Sequence, residues 1–378
     1  MRPRWTAALL CPVLLFFCAV GTPAVQAAEP PTVSARSAVV YAPQRDRLLY
    51  DKAGDVKRPV ASTTKLMTAL LAAERLSPED TVQVPSGAVP VEGTQIGLKV
   101  GDALTVWDLL AGLLLASGND AANTLALLMA PSPADFAVLM NKRAEQLGMT
   151  DSLFVTPSGL DQGDNGATAR DMAVLAAAVL EEPVLAQLCG MQTATITVEG
   201  KRMTLRNHNK LLGLVDGCIG LKTGFTRKAG RCLVSAVRRD GITLIAVTLH
   251  APDDWDDHAA LYDYAFGRVR QEPFPSVIPD TCPVMGGTLP AVPLTVSVPD
   301  TCVLLTGETL TAQVCLPPFV WADVEQGQTV GQVRYLAADR TVYVADIRTA
   351  QAVPVQQPPS FWTLVWRRFL QLISGLCT

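Results

Sequence analysis

From about Ala35 to Gly267, apolar residues recur at helical spacing in four long runs: Leu66 to Arg75, Thr105 to Ala116, Asp120 to Met129 and Ser132 to Leu147. Strand-like runs lie among them. The last helix opens on Ser132-Pro133-Ala134-Asp135, an N-cap followed by proline at the first helical position, where its missing N–H costs nothing. Ile242 to Leu249 is an apolar run interrupted only by Thr243 and Thr248, and its length predicts a buried strand. This mixture predicts one α/β domain. After about Gln271 the helical period disappears. Residues 271 to 360 hold 12 of the 27 prolines, which argues against helices there. Short alternating stretches, Leu294 to Val298, Thr311 to Cys315 and Thr341 to Ala345, are separated by turns at Gly307-Glu308 and Gly327-Gln328. They predict a second, all-β domain of roughly 80 residues.

The two ends carry different patterns. Arg2 and Arg4 precede an apolar run from Ala7 to Val20, and the small residues of Val25-Gln26-Ala27-Ala28 precede Glu29. That order reads as a secretory signal peptide, cleaved after Ala27 or Ala28. A membrane anchor is the competing reading, but the run is too short for the about 20 residues of a span. The mature chain then works outside the cytoplasm. In the tail, Thr363, Arg367, Gln371, Ser374 and Thr378 form one polar stripe at helical spacing, with Trp362, Trp366, Phe369, Ile373 and Leu376 on the apolar side. This predicts an amphipathic helix lying on a membrane surface, with the tryptophans at headgroup level. A spanning helix would place Arg367 and Arg368 near mid-bilayer; a helix docked on its own domain would have to hide a wide aromatic face. The predicted layout is a leader at 1–28, a mixed domain at 29–270, a β domain at 271–358 and an anchoring helix at 359–378.

Composition narrows the function. With 49% hydrophobic and 17% charged residues the chain is neither disordered nor a polybasic nucleic-acid binder, and a net charge of -4 gives no field for a polyanion. His208, His250 and His258 are scattered, and no Cys-x-x-Cys pair exists, which argues against zinc chemistry.

Ser62 and Lys65 stand three residues apart at the start of the first strong helix. That spacing puts both side chains on one face, so the amine can take the hydroxyl proton if burial or nearby cations lower its pKa. The unpaired N–H groups of the helix start favour a developing oxyanion. Alone, Ser-x-x-Lys is weak, expected about once in a chain of this length and usually as an exposed helix start. Here it is followed by Ser117-Gly118-Asn119, at the junction of two helical runs, and by Lys222-Thr223-Gly224, at the start of a strand-turn-strand stretch. By chance each tripeptide would occur in well under ~10% of such chains, and both stand in the order that Ser-x-x-Lys enzymes require.

With these three motifs the chain resembles the serine D-alanyl-D-alanine carboxypeptidases among the low-molecular-mass penicillin-binding proteins. The likeness extends to Glu92 through Asp102, Asn207 through Leu212 and Asp216 through Cys232. It departs at Thr156-Pro-Ser-Gly-Leu160 and Ala167-Thr-Ala-Arg170, where family members often carry histidines; that bears on substrate preference more than on activity. The resemblance implies a β-lactamase/transpeptidase-like α/β domain, an antiparallel sheet with helices, followed by a small sandwich-like β domain and an amphipathic tail. It implies that Ser62 attacks the terminal D-Ala-D-Ala bond of a peptidoglycan stem peptide, that Lys65 accepts its proton, and that Ser117 and Lys222 relay a proton to the departing D-alanine. Asn119 would hold the peptide amide and Lys65. The backbone N–H groups of Ser62 and Phe225 would form the oxyanion hole, and Lys222, Thr223, Gly224 and Phe225 would bind substrate, Thr223 and the charge of Lys222 suiting the free carboxylate. No cofactor is needed; β-lactam antibiotics would inhibit by acylation.

Two other readings compete with this one. A class A β-lactamase deacylates through a glutamate in Glu-x-x-Leu-Asn, and none of Glu145, Glu181, Glu182 and Glu199 is followed by that pattern. A non-catalytic peptidoglycan-binding module needs neither Lys65 nor Ser117. Seven cysteines follow the leader, an odd number. Cys218 and Cys232 flank Phe225 symmetrically and read equally as a cross-strand disulfide or as two buried thiols. His208 reads as a cleft residue or a structural one. Asp253 to Asp257, with Trp255 among them, reads as a solvated loop before the last helix of the mixed domain rather than as a cation site.

Overall fold

The computed structural model describes residues 29–357 and 360–374; the leader read at 1–28 and Leu376, Cys377 and Thr378 of the tail lie outside the described residues. In chain order the elements begin with strands β1 (Ser37–Ala42) and β2 (Arg47–Lys52), helix α1 (Lys65–Arg75) and the short strands β3 (Thr81–Gln83) and β4 (Ala103–Thr105). Helices α2 (Val106–Leu114), α3 (Asn119–Met129), α4 (Pro133–Gln146), α5 (Ala169–Glu181) and α6 (Pro183–Gly190) follow. Next come the hairpin of β5 (Thr193–Val198) and β6 (Lys201–Arg206), strands β7 (Cys218–Thr226), β8 (Gly230–Arg239) and β9 (Ile242–Leu249), and helix α7 (Asp254–Phe266).

The four helical runs read from the sequence are α1 to α4, and their starts carry the expected chemistry. Ser132 accepts from Asp135 N–H ahead of Pro133 at the head of α4, and Thr105 forms a reciprocal capping box with Asp108 at the head of α2. The main sheet runs β2-β1-β9-β8-β7 with antiparallel neighbours. Strand β9 occupies its centre and is buried along its whole length. Alternation explains why it reads as continuously apolar: Ile245 and Val247 face a large core shared with α1 to α6, while Leu244 and Ala246 face a second core under α7. Strand β7, at the sheet edge, lies beside the turn that leads into α1 and carries the third motif.

Beyond α7 the chain forms β10 (Val269–Pro273), β11 (Thr281–Met285), β12 (Ala291–Val296), β13 (Thr301–Leu305), β14 (Leu310–Cys315), β15 (Val320–Trp321), β16 (Thr329–Ala337) and β17 (Arg340–Thr349). A six-stranded sheet, β14-β16-β17-β12-β11-β15, encloses its own apolar core around Val292, Val333, Tyr335 and Ile347, and β10 pairs with β13 in a separate ribbon. Arg45, on the turn between β1 and β2, reaches this second unit. It donates to the Val303 carbonyl and to Glu308, and little of either charged side chain is exposed. Helix α8 (Phe361–Ser374) ends the described chain.

One open alternative is decided and one sequence expectation is corrected. Cys218 pairs with Val237 and Cys232 with Gly224, so the two thiols do not face each other, and both are free. The hairpin turns at residues 227–229, three positions beyond the symmetry point assumed from Phe225. The acidic cluster is not a solvated loop. It forms the first turn of α7, where negative charge suits the helix N-terminus; Asp254 is buried against Arg231 and Asp257 accepts from the Ser34 hydroxyl and backbone.

Candidate active site

Residues Ala61–Thr64 form a single 3-10 turn that runs directly into α1, so Ser62 sits on the turn and Lys65 is the first helical residue. The Lys65 side chain is fully buried. Its Nζ lies 2.9 Å from Ser62 Oγ, 2.7 Å from Asn119 Oδ1 and 2.9 Å from the Ser158 carbonyl. Burial, helped by the charge of Lys222 and opposed by that of Asp120, pulls the Lys65 amine well below its ordinary pKa. An amine whose charged form is disfavoured and which points at a serine hydroxyl has the placement a general base needs.

The second motif stands between α2 and α3. Asn119 opens α3, accepts from Lys65 and donates from Nδ2 to the Glu92 carbonyl at 2.6 Å. Asp120 beside it is fully buried, and its carboxylate accepts from the N–H groups of Ile96, Gly97 and Leu98, pinning the 92–102 segment over the cleft. Ser117 lines the same cavity as Ser62.

The third motif lies on β7. Gly224 faces the Ser62 turn so closely that a Cβ there would stand 3.0 Å from Ser62 N and 3.1 Å from Thr63 N. Only glycine lets the strand approach the turn, which brings the Phe225 backbone alongside that of Ser62. Lys222 is buried, donates to the Thr223 carbonyl at 3.0 Å, and is pulled down to about 7 by burial. Phe225 is exposed at the rim.

Each motif adjoins or contains a non-glycine residue at positive φ: Ala61 at 48°, Ser117 at 61° and Leu221 at 91°. Such conformations cost on the order of 1–3 kcal/mol each and persist where surrounding packing imposes them. The three cluster around one cavity of about 1010 Å³, lined by Ser62, Ser117 and Thr223, with His208 and Phe225 farther out. Burial, with the Lys222 charge, also lowers the His208 pKa. His258, by contrast, is locked in the core between Ser235 and Thr248 and is pulled down to about 3, which keeps it a neutral structural side chain.

Some participants had no signal in the sequence. Ser158 contributes a backbone carbonyl. The next residue, Gly159 at φ +80°, lies where a Cβ would overlap the Ala61 carbonyl, so the departing segment Thr156–Leu160 packs directly under the nucleophile turn. The far wall of the cavity is built by Arg231, Asp254 and Trp255, outside all three motifs.

The family model for D-alanyl-D-alanine carboxypeptidase matches residues 24–253. The chain belongs to this family. The match bears out the resemblance read from the motifs and gives the reaction class, that of a serine D-alanyl-D-alanine carboxypeptidase. A D-alanyl-D-alanine carboxypeptidase of Mycobacterium tuberculosis is 36% identical over 228 residues, covering 58% of this chain and 78% of that protein. One of Bacillus subtilis is 32% identical over 248 residues, covering 63% of this chain and 64% of its relative, so the match spans just under two thirds of that protein. Penicillin-binding protein 5 from Haemophilus influenzae superposes with a TM-score of 0.66, covering 86% of this chain and 99% of its own, at 24% identity, which speaks for the fold alone.

Proposed function

We propose that this carboxypeptidase removes the terminal D-alanine of peptidoglycan stem peptides through an acyl-enzyme on Ser62, and the observation that carries the reading is the charge-suppressed Lys65 amine 2.9 Å from Ser62 Oγ. As the hydroxyl oxygen bonds to the carbonyl carbon, its proton passes to Lys65. The oxyanion collects at the N–H groups of Ser62 and Phe225. The C–N bond then breaks, and Ser117 with Lys222 delivers a proton to the departing amine. Asn119 orients both Lys65 and the substrate amide, and water later cleaves the ester.

The same geometry makes β-lactams suicide substrates, and it separates the protein from a β-lactamase. The carboxylate among the cavity-lining side chains is Asp254, which is engaged by Arg231. With no other carboxylate among the described residues that line the cavity, the penicilloyl adduct is expected to outlive the peptide acyl-enzyme by orders of magnitude. Intact-mass spectrometry after mixing with benzylpenicillin should show a persistent one-drug adduct mapping to Ser62. Rapid return of unmodified protein would reverse the assignment.

We further propose that residues 29–270 act as the catalytic domain, residues 271–358 as a spacer, and the tail at 359–378 as an interfacial anchor on the outer face of the cytoplasmic membrane. In support, Phe361, Trp362, Trp366 and Phe369 are all exposed on α8, and inserting such a face gains ~0.025 kcal/mol per Å² of apolar area buried. No single helix among the described residues is long and apolar enough to cross a membrane. Deleting residues 360–378 should abolish sedimentation with anionic vesicles while leaving hydrolysis of a soluble peptide intact. A truncated chain that still sediments, or that loses activity, would count against the anchor.

A further inference from the structure

We propose that the outward face formed by Met285, Phe319 and Trp321, at the edge of the six-stranded sheet of the β domain, is a second lipid-contacting surface that meets the membrane beside α8. The proposal rests on the membrane-anchor reading of the tail and adds to it a contact made by the β domain itself.

Strand β15 closes one edge of the sheet and pairs in parallel with β11, Val284 beside Val320 and Met285 beside Trp321. Side chains alternate along both strands. Val284 and Val320 turn into the core around Val292 and Ile347. That sends Met285 and Trp321 outward, and Phe319, two residues before Trp321, joins them. On a sheet with one solvent-facing side, such outward positions ordinarily carry polar residues. Here Trp321 is 69% exposed, and the Phe319 ring stands edge-on to it with centroids 5.4 Å apart. Val355 adds another exposed apolar side chain, bridged to Gly287 two residues beyond Met285. An exposed apolar group of this kind marks a contact surface.

The tether to α8 identifies what that surface meets. Gln356 N–H donates to the Gly286 carbonyl at 2.8 Å, so the chain is still fixed beside Met285 shortly before α8 begins at Phe361. The five residue steps between them span at most about 18 Å. With α8 lying in the membrane plane, the patch is held within that distance of the headgroup layer, the level at which tryptophan is enriched. The two apolar surfaces do not cover each other: Trp321 is exposed, and so are Phe361, Trp362, Trp366 and Phe369 on α8. A lipid surface is one flat boundary that can take both, whereas a globular partner would have to present two sites. Alone, these few side chains are too small a surface to hold the chain, but α8 makes their insertion an intramolecular event. Attachment at two points fixes the tilt of the β domain, and the bonds from Arg45 to Val303 and Glu308 carry that tilt to the catalytic domain. Met285, Phe319, Trp321 and Val355 bear no charge, so their contribution, unlike that of Arg367 and Arg368, should be indifferent to salt.

The test uses the full mature chain, residues 29–378, carrying Trp362→Phe and Trp366→Phe, so that Trp107, Trp255 and Trp321 are its remaining tryptophans. It is mixed with vesicles of equal parts phosphatidylcholine and phosphatidylglycerol, with or without bromine on the phosphatidylcholine acyl chains, and sedimentation and fluorescence are read together. Vesicle-bound protein is expected to lose part of its emission to bromine, and adding Trp321→Phe should remove that loss. In the otherwise unaltered chain, Phe319→Ser with Trp321→Ser should weaken vesicle binding roughly 10-fold, by the same factor at low and high salt, without changing hydrolysis of a soluble peptide. Protein that sediments with the vesicles while Trp321 escapes the bromine would overturn the proposal and leave the anchor reading intact. So would a wild-type dimer that dissociates on the double serine substitution, which would assign the patch to a second copy of the chain. A chain that does not sediment at all would remove the anchor reading, and this proposal with it.

Discussion

Replacing Ser62 with alanine abolishes both penicillin adduct formation and D-alanine release, with an expected loss of at least about 10⁴-fold in kcat/KM. The substitution is close to neutral for the fold, because the half-buried hydroxyl contributes one hydrogen bond, from Lys65. Lys65→Ala should be nearly as damaging, and the double variant scarcely worse than either single one, since nucleophile and base act as one unit. Lys65→Ala carries an additional structural cost. Asn119 Oδ1 and the Ser158 carbonyl lose their buried donor, at about 1–3 kcal/mol for each group left unpaired. Thermal unfolding run beside the kinetics separates the two effects: Ser62→Ala should melt with the wild type and Lys65→Ala below it. A Ser62→Ala protein that still accepted the drug covalently would remove Ser62 from the mechanism, and additive losses in the double variant would point to another base.

The serine and lysines of the candidate site were legible because each belongs to a short motif whose spacing has a mechanical meaning. Three residues on a helical turn aim Lys65 at Ser62, and a glycine in Lys-Thr-Gly lets β7 press against that turn. Helices α1 to α4 were legible from their apolar stripes and caps. Helices α5 and α6 were not, because Ala169–Glu181 is rich in alanine and other apolar residues and lies in the core, without the polar face that marks a surface helix. The start of α7 was misread for a related reason. Four aspartates in five residues resemble a solvated loop until it is known that Arg231 and Ser34 meet two of their carboxylates. The Ser158 carbonyl could not have been found, since a backbone acceptor has no letter of its own. Arg231 was hidden by register. With the hairpin centred on Phe225 it would pair with Ile219, and the observed turn at 227–229 instead sets it opposite Phe225, where it lines the cleft.

The position of Lys222 leads to a second large effect, on pH dependence as well as rate. Lys65 must be neutral to take the Ser62 proton, so kcat/KM should fall on the acid side as Lys65 acquires its proton. Burial is the first cause that holds its pKa down and the positive charge of Lys222 the second. Lys222 is itself pulled to about 7 by burial, so below that pH it carries its charge and opposes protonation of Lys65. Lys222→Gln removes the charge while keeping a polar side chain of similar length. Two changes are expected: a loss of roughly 100-fold in kcat/KM as proton delivery to the leaving amine fails, and movement of the acid limb to higher pH, since Lys65 then binds its proton more readily. The same displacement should appear in the pH profile of benzylpenicillin acylation, where the ring nitrogen also takes a proton as its C–N bond opens; in both reactions the position of the limb reports the electrostatic effect and the height of the plateau reports the relay. An acid limb that stayed in place in both profiles would mean that Lys222 does not set the charge state of Lys65, and a limb that moved to lower pH would mean that Lys65 is not the base being titrated.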